Sequence, residues 1–363
     1  MKFNGFGGIT EMNTGKAAYF AAANTAAGFY SQFPKLFDPA CGKWQRIYII
    51  KGGPGTGKSS FMRRAAKAAE EKGLAVEYFH CSADPGSLDG IRIPSRGIAM
   101  LDGTAPHTVD ASYPGSVEQI VDLGMFFDTD ALREKRDVLR RLFDEHASHH
   151  IAASRYLRAA GAMRENETAL LSSAFLRKKA LDAARRLVRH LPAEREPIVL
   201  ERFVTAICAR GTVHLPTAEQ CGTCVYVTDG GRAALFFGAM LDAVNERGLS
   251  YTRYASPLRP TETEGIYLPA CDTVWFTDRY GRAADNADTR PLNTARFLDP
   301  SVTAARRTSI RFAAKCGEAL LDGAASSLSE ASRVHDMLES HYTAAMDFGA
   351  MNRYITHFLC GFC

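Results

Sequence analysis

A short apolar run and an amphipathic segment near the start of the chain predict a strand followed by a helix. Residues 47–50 are β-branched or aromatic throughout, which is typical of a buried strand. The segment 61–72 places Phe61, Ala65 and Ala69 on one face of a predicted helix, and a glycine follows it. The order strand, loop, helix is typical of an α/β sheet with helices packed on its faces.

Longer helical patterns occupy the middle and the C-terminal part of the chain. After Asp130 the pattern is helical, and a second run extends from Thr168 to Leu191. The apolar face of the first run is predicted from residues at a spacing of four, which are Leu139, Phe143, Ala147 and Ile151. From Thr303 the pattern is helical again, with an apolar stripe at Leu338, Tyr342, Ala345 and Met346. We expect Tyr342-Thr343-Ala344-Ala345 to repeat Tyr156-Leu157-Arg158-Ala159 of the first run.

The loop between the first predicted strand and helix has the pattern G-x-x-x-x-G-K-S, from Gly52 to Ser59. Its glycines allow a tight turn that aims backbone N–H groups at phosphate oxygens, and the helix start adds a favourable dipole. Lys58 is expected to reach the β- and γ-phosphates, and Ser59 to give Mg²⁺ a hydroxyl ligand. A turn that only joins a strand to a helix does not need this Lys-Ser pair. The predicted phosphate-binding residues are Gly52, Gly53, Pro54, Gly55, Thr56, Gly57, Lys58, Ser59 and Ser60.

Two aspartates that follow predicted strands are candidates for the chemistry of the same site. Asp102 ends an apolar strand, as does the Mg²⁺-holding aspartate of a Walker B element. Asp84 follows another predicted strand and could polarise an attacking water, a role open also to His80 and His107. Each of these residues has a structural alternative as a turn, cap or core polar residue. The predicted catalytic residues are Lys58, Asp84 and Asp102, and the predicted metal ligands are Ser59 and Asp102.

The sequence contains a diverged internal repeat. Glu71-Lys72-Gly73-Leu74 matches Glu246-Arg247-Gly248-Leu249, and Asp89-Gly90-Ile91 matches Glu264-Gly265-Ile266, both 175 positions later. Upstream, 47–49 matches 225–227 and Gly52-Gly53 matches Gly230-Gly231 at 178 positions, so three residues of the phosphate loop are predicted to be missing. The second copy is therefore predicted to be a structural or regulatory pseudo-domain. The alternative is that the second copy binds a different ligand.

Comparison of the two copies separates structural from chemical candidates. Asp89 remains acidic as Glu264 although the loop has gone, which favours a structural role for this carboxylate. Lys58 becomes Ala233, His80 becomes Ala255 and Asp84 becomes Arg259, so these side chains are lost together with the loop. Asp102 becomes Thr277 at constant spacing, or Asp278 if the alignment slips by one residue.

Composition and charge are those of an ordinary globular protein. Of the 363 residues, 46% are hydrophobic and 23% charged, and the formal net charge of +4 suits phosphate-rich ligands without requiring a nucleic acid. The nine cysteines are scattered and odd in number, which favours free thiols in a reducing compartment. No apolar run reaches the ~18 residues of a membrane span, so we expect a cytoplasmic protein that does not contact a membrane.

Basic residues are frequent on the predicted helices of the middle segment. They could contact a nucleic acid or an acidic protein partner, whereas the interspersed acids favour a solvated helix face. The two Cys-x-x-Cys pairs, Cys221/Cys224 and Cys360/Cys363, are farther apart than the pairs of a zinc ribbon, which disfavours a zinc site. The basic residues are Arg133, Lys135, Arg136, Arg140, Arg141, Arg177, Lys178, Lys179, Arg185, Arg186 and Arg189.

Further motifs extend over most of the chain, at 51–60, 80–90, 102–107, Tyr113-Pro114-Gly115 and 23–30. Together these segments resemble a family of uncharacterised bacterial ATPases that carry two P-loop domains in tandem. The resemblance implies ATP as the ligand in preference to GTP, and it names no pathway. The second half departs from the family pattern, because family members often keep a second Walker A motif.

The predicted fold is α/β, with two related P-loop NTPase-type units whose sheets are mostly parallel and are each followed by a helical arm. The predicted domains are a P-loop NTPase domain at 1–128, a helical hairpin arm at 129–200, a degenerate P-loop-like domain at 201–302 and a C-terminal helical arm at 303–363. The predicted function is Mg²⁺-dependent ATP binding, with hydrolysis coupled to a conformational change. A kinase-like phosphotransferase and a non-catalytic, nucleotide-dependent interaction module stay open as alternatives.

Overall fold

The computed structural model describes residues 17–229, 231–279 and 291–362 and shows a mixed α/β protein. Its contacts divide these residues into two units. Unit 1 comprises 17–22, 30–152 and 326–362, and unit 2 comprises 23–29 together with 153–325. Each unit therefore combines segments that are distant in sequence. Within the described ranges, no helix is both long and apolar enough to cross a membrane.

The strands of the two units are short. In chain order they are β1 (Ala17–Phe20), β2 (Ala22–Thr25), β3 (Gly28–Ser31), β4 (Arg46–Lys51), β5 (Glu77–His80), β6 (Leu88–Ile93), β7 (Ile98–Asp102), β8 (Glu118–Asp122), β9 (Val199–Arg202), β10 (Thr205–Cys208), β11 (Gly211–His214), β12 (Thr223–Val227), β13 (Tyr251–Ala255), β14 (Thr263–Leu268) and β15 (Thr273–Thr277).

The helices include two that are much longer than the others. In chain order the helices are α1 (Phe33–Leu36), α2 (Lys58–Glu71), α3 (Thr129–Glu134), α4 (Arg136–Ser172), α5 (Arg177–Val188), α6 (Ala233–Arg247), α7 (Pro300–Ala305), α8 (Arg307–Ala344) and α9 (Phe348–Cys360).

The sheet of unit 1 places the strand before the glycine-rich loop 52–57 between two parallel neighbours. Its order is β1-β5-β6-β7-β4-β8. Strand β4 pairs in parallel with β7 and β8, whereas β6 runs antiparallel to both β5 and β7. The register of β4 and β7 brings Ile50 opposite Asp102. The end of β7 therefore lies beside the start of the loop.

Helix α2 covers this sheet with the face that the sequence predicts. Phe61, Ala65 and Ala69 are fully buried and belong to one core cluster with Ile50 of β4 and Met100 of β7. Burial of a side chain as large as phenylalanine contributes about 1.5–3 kcal/mol relative to exposure. This packing fixes the direction in which α2 leaves the loop.

The sheet of unit 2 has the corresponding strand order, β12-β15-β14-β13-β9. Strands β12 and β15 are parallel, as are β13 and β9, and β14 is antiparallel to both of its neighbours. Strands β6 and β7 precede β14 and β15 by 175 positions each. The same irregularity interrupts the pairing of β5 after Phe79 and of β13 after Tyr254.

The prediction of mostly parallel sheets is correct for unit 1 only. Three of the five described strand pairings in that sheet are parallel. In the sheet of unit 2, two of the four described pairings are parallel, so this sheet is evenly mixed. The reason is that β6 and β14 follow short connections, which suit antiparallel neighbours and leave no room for a crossover helix.

The helical segments differ from the prediction at two points. Helix α4 continues without a break to Ser172, so the second run begins at Arg177 and not at Thr168. In the predicted apolar face, Phe143 is 41% and Ile151 is 54% exposed. A repeated spacing of four drifts around a helix that has 3.6 residues per turn, so the four predicted residues do not share one buried face.

The two helical arms correspond at a constant spacing. Helices α3, α4 and α5 begin 171 positions before α7, α8 and α9. Asp128 and Asp299, also separated by this spacing, both cap the helix that follows by accepting hydrogen bonds from first-turn amides. The spacing places Ser327 at the position of Tyr156, so the predicted match of Tyr156 with Tyr342 is wrong.

The last helix of each arm packs on the sheet that its arm does not follow along the chain. Helix α5 follows the first sheet along the chain, yet Ala180 and Ala184 join the core of unit 2 beside α6. Helix α9 follows the second sheet, yet Met351 and Ile355 join the core of unit 1 beside α2. The ring centroids of Phe358 and Phe61 lie 5.1 Å apart. The two arms are thus exchanged between the cores.

Candidate functional site

The loop from Gly52 to Ser60 has a backbone that requires glycine. Gly52, Gly55 and Gly57 have φ angles of 154°, 68° and 77°. A methyl group on Gly52 would lie 2.7 Å from Oγ1 of Thr56, whose hydroxyl donates to the carbonyl oxygen of Gly53 at 2.9 Å. The dihedral angles therefore favour glycine at all three positions, and the close contact also excludes a larger residue at Gly52.

Backbone N–H groups at the end of the loop have no acceptor within the described part of the chain. These are the amides of Gly55 and Gly57 and those of the first turn of α2, Lys58 to Ser60. The helix begins its own bonding with the amide of Phe61, which donates to Gly57 at 2.9 Å. Unbonded first-turn amides and the helix dipole together favour an anion. The loop is therefore suited to phosphate oxygens.

Lys58 and Asp102 are brought together at this end of the sheet. Nζ of Lys58 lies 3.5 Å from Oδ2 of Asp102 and donates to the carbonyl oxygens of Gly52 and Gly53 at 3.1 and 2.8 Å. Thr104 holds the other carboxylate oxygen, because its amide donates to Oδ1 at 2.9 Å and its hydroxyl donates to the same atom. An ammonium group and an oriented carboxylate thus lie beside the unbonded amides.

Ser59, the second predicted metal ligand, lies one residue further along α2. Its Oγ accepts a hydrogen bond from the amide of Leu88 at 3.0 Å, which ties α2 to the start of β6. A hydroxyl oxygen has two lone pairs, so this contact leaves one for a cation. Ser59 and Asp102 are therefore chemically suited to Mg²⁺, which prefers oxygen ligands.

Asp84 lies in the connection between β5 and β6 and is exposed. Its Oδ1 accepts from the amide of Gly86 at 3.0 Å, as the side chain of a turn residue does. Among the described contacts, none joins Asp84 to Lys58 or to Asp102. The structure thus places this predicted base in a local turn.

The two histidine alternatives are buried in local contacts. Nδ1 of His80 lies 2.8 Å from the carbonyl oxygen of Pro85, and burial lowers the pKa of His80 below its usual value. Nε2 of His107 lies 3.1 Å from Oδ2 of Asp89, with both side chains almost fully buried. The His107 ring stacks on Phe33 at 4.5 Å. This buried pair supports the structural role predicted for Asp89.

Sequence reasoning missed three contributors to the site. Thr104 orients Asp102, as described above. Lys51 donates through Nζ to Gly103 and Val109 at 2.9 and 2.7 Å, and so holds the segment after β7 against the end of β4. The third is the Tyr342 ring of α8, because a methyl group on Gly53 would meet this ring at 3.1 Å. Of the three, only Lys51 could have been placed near the loop from sequence, because it directly precedes the G-x-x-x-x-G-K-S pattern.

The corresponding loop of unit 2 is two residues shorter, not three as predicted. Strand registers pair Ile50 with Asp102 and Val227 with Thr277, so seven residues (51–57) precede α2 and five (228–232) precede α6. The strands therefore match at 177 positions instead of 178. The register also places Thr277, and not Asp278, at the position of Asp102. Gly230, part of the predicted Gly-Gly match, lies outside the described residues.

Charged side chains fill the corresponding site of unit 2. Arg164 of α4 lies 3.0, 3.6 and 3.3 Å from carboxylate oxygens of Glu167, Asp229 and Glu262, and its side chain is 7% exposed. The amide of Asp229 donates to Oδ1 of Asp278 at 2.6 Å. The cavity beside Arg164 has a volume of about 10 Å³, which is room for about one water molecule. The small volume of the cavity and the carboxylates clustered around it both disfavour binding of a triphosphate at this loop.

Basic residues of the arm are partly neutralised. Exposed pairs of this kind contribute little to stability, and they lower the positive charge available to a nucleic acid. Within the described part of the chain, no group of three or more histidine, cysteine and acidic side chains is arranged to hold a metal, and Cys363 lies outside that part. The pairs on α5 are Arg177 with Asp242 at 2.7 Å, Lys178 with Asp182 at 3.2 Å and Arg185 with Glu246 at 2.9 Å.

Comparison of the chain with protein-family models, with curated proteins and with solved structures gives no match.

Proposed function

We propose that the chain binds ATP with Mg²⁺ at the loop Gly52–Ser60 and hydrolyses it, coupling hydrolysis to a conformational change. The observation that carries this proposal is the set of unbonded amides at the end of the loop and in the first turn of α2. Lys58 adds one positive charge beside them, at the end of the strand pair β4 and β7. This arrangement suits a chain of phosphate groups.

Ser59 and Asp102 are the residues that would hold Mg²⁺. The cation would neutralise charge on the phosphate oxygens during transfer of the γ-phosphoryl group. Lys58 would exchange its carbonyl acceptors on Gly52 and Gly53 for phosphate oxygens. Asp84 is proposed as the base that orients the attacking water, although its present contact is with Gly86.

We also propose that the two units arose by duplication, with the site kept only in unit 1. The order of β4, β7, β6, β5 and β1, which matches that of β12, β15, β14, β13 and β9, supports this origin. The shared irregularity in β5 and β13 and the constant spacing of the arms support it too. The loss of two loop residues and the presence of Arg164 support a second copy that binds no triphosphate. The proposal gives one nucleotide per chain, in a protein expected in the cytoplasm.

Calorimetric titration of the full chain with ATP and Mg²⁺ tests the binding step. We expect one site per chain, and replacement Lys58→Ala should weaken binding by about 100-fold, since a charged contact in a phosphate site contributes several kcal/mol. Lys67→Ala is the matched control, because Lys67 lies on the same helix and is exposed. Absence of heat from the parent protein would refute the proposal.

A turnover assay separates hydrolysis from the alternatives. Phosphate release without any acceptor, lost in Lys58→Ala, supports an ATPase. Binding without release supports the interaction module, and release only with an added acceptor supports a kinase-like enzyme. A kinase-like enzyme would need an acceptor pocket, for which Asp84 and Asp89 are the candidate acids. This alternative has less support, because Asp89 is buried against His107.

A further inference from the structure

The phosphate loop of unit 1 lies directly against the connection between α8 and α9. We call residues 342–351 the C-terminal corner. A methyl group on Gly55 would lie 2.7 Å from Cγ2 of Thr343, and one on Gly57 would lie 3.3 Å from Cε of Met351. The loop therefore has no free space on this side, and any outward movement of Gly55 displaces Thr343.

Backbone hydrogen bonds hold the C-terminal corner at the end of β8. The amide of Asp128 donates to Ala345 at 2.7 Å, and the amide of Asp347 donates to Phe126 at 2.9 Å. The Tyr342 ring packs on the Phe127 ring with centroids 5.4 Å apart. Among the described residues, no ion pair joins this corner to the loop 52–60. The corner is thus held by short-range contacts that a small displacement weakens.

Unit 2 has an equivalent corner between α4 and α5, at 171–180. The amide of Asp299 donates to Ala174 and that of Leu176 to Phe297, both at 2.8 Å, which reproduces the bonding of the C-terminal corner. In unit 2 an ion pair also joins the preceding helix to the loop 228–232, because Arg164 of α4 lies 3.6 Å from Asp229. At the position of Arg164, 171 residues later, α8 has His335, which lies 3.8 Å from Glu339 of its own helix.

We propose that the C-terminal corner is the element that responds to nucleotide, whereas the corner at 171–180 is locked. This inference rests on the proposed function. Phosphate groups draw Nζ of Lys58 away from the carbonyl oxygens of Gly52 and Gly53, so the loop opens toward Thr343 and pushes the corner outward. Because Thr343 is on α8, the push is transmitted to the end of that helix. The ion pairs of Arg164 prevent the same response in unit 2.

Hydrogen exchange of the full chain, with and without ATP and Mg²⁺, tests this inference. We expect the amides of 343–351 to exchange about fivefold faster with nucleotide, the lower end of typical coupling between sites. The amides of 172–180 provide the internal control and should not change. Unchanged or slower exchange at 343–351, or equal acceleration of both corners, would overturn the inference.

The variant Thr343→Ser isolates the contact that transmits the push. It removes Cγ2 but keeps the hydroxyl, which donates to the carbonyl oxygen of Glu339 at 2.7 Å. The other corner already has Ser172 at the matching position, with the same bond to Thr168 at 2.7 Å, so serine fits such a site. We expect ATP affinity within about twofold of the parent and a clearly smaller acceleration at 343–351. Full acceleration in this variant would overturn the inference.

Calorimetry on the same samples distinguishes failure of the responsive corner from failure of ATP binding. Heat of ATP binding together with unchanged exchange at 343–351 would leave the proposed function in place and remove only the responsive corner. Absence of binding heat in the parent protein would remove both. The variant Lys58→Ala should bind ATP about 100-fold more weakly, and at an ATP concentration that saturates only the parent it should show no accelerated exchange.

Discussion

Thr104 donates its amide and its hydroxyl to one oxygen of Asp102, so the other oxygen faces Lys58 at 3.5 Å. The carboxylate is therefore oriented before any ligand arrives. Groups that orient a metal ligand typically change metal affinity when they are removed.

Replacement Thr104→Val should raise the Mg²⁺ concentration needed for half-maximal hydrolysis by about tenfold, because the hydroxyl bond to Asp102 is lost. Thr104→Ser keeps the hydroxyl and is the matched control, for which we expect a parental Mg²⁺ dependence. A Mg²⁺ titration of the hydrolysis rate checks both. Equal Mg²⁺ dependence in the valine variant would show that Asp102 does not need this partner.

Replacement Asp84→Asn tests the proposed base. If Asp84 orients the attacking water, kcat falls by about 10²–10⁴-fold while ATP affinity is retained. The control is Asp122→Asn, since Asp122 is also exposed and accepts from the amide of Gly124 at 2.7 Å in the same kind of turn. If both variants hydrolyse ATP at the parental rate, Asp84 is a turn residue only.

Replacement Arg164→Met should destabilise the protein by about 3–5 kcal/mol, because it removes the buried guanidinium that pairs with Glu167, Asp229 and Glu262. Arg279 and Arg259 remain beside Asp229 and Glu262, whereas Glu167 loses its ion-pair partner. Unfolding in urea measures the change. Arg158→Met, on the exposed side of the same helix, should stay within about 0.5 kcal/mol of the parent. A loss in Arg164→Met no larger than in the control would contradict the buried cluster.

A histidine cluster between α4 and α8 makes the stability of unit 1 sensitive to acid. The ring of His146 lies 4.6 Å from that of His150 and 5.7 Å from that of His335. Burial, followed by the charges of neighbouring histidines, lowers the pKa of His146 to about 4. The other charged or titratable groups here are Glu145 and His149 on α4 and Arg333 and Glu339 on α8.

The direction of the pH effect follows from this depressed pKa. The unfolded chain binds a proton at His146 near pH ~6.5, and the folded protein binds it only near pH 4, so stability falls as pH drops between these values. Partial exposure reduces the expected loss to about 1 kcal/mol. Urea midpoints at about pH 7.5 and about pH 5 measure it.

Replacement His146→Gln should make those urea midpoints less dependent on pH. The exposed His357 provides the control, since His357→Gln should keep the parental pH dependence. A glutamine variant at 146 that loses as much stability in acid as the parent would show that other groups cause the effect.

Local pattern was enough to predict the loop, α2 and the strand that ends at Asp102. Each of these elements depends on neighbours in sequence, such as the glycines of the loop and the buried face of Phe61. The neighbouring position of β4 and β7, which brings Lys58 to Asp102, had to come from the strand register. The roles of the Thr104 hydroxyl and the Tyr342 ring could not be predicted, because neither residue belongs to a sequence motif. A threonine after a strand and a tyrosine in a helix are common in proteins of every function.

The one-residue error in matching β4 with β12 has a similar cause. Isoleucine, valine and tyrosine are interchangeable in buried strands, so 47–49 matches 225–227 in character better than it matches 224–226, which begins with Cys224. Only the hydrogen-bonding register identifies 224–226 as the match. Arg164 shows the same limit, because nothing in its local sequence separates it from the solvated arginines of α4.

The exchanged arms have a consequence for the order in which the protein matures during translation. The core around Phe61 and Ile50 is incomplete until Met351 and Ile355 have been synthesised. A nascent chain that has emerged from the ribosome only as far as the first sheet and α4 therefore exposes an apolar surface beside α2. Such a chain would need a chaperone or rapid elongation, and a fragment cut between the two sheets would lack the cover of its own core.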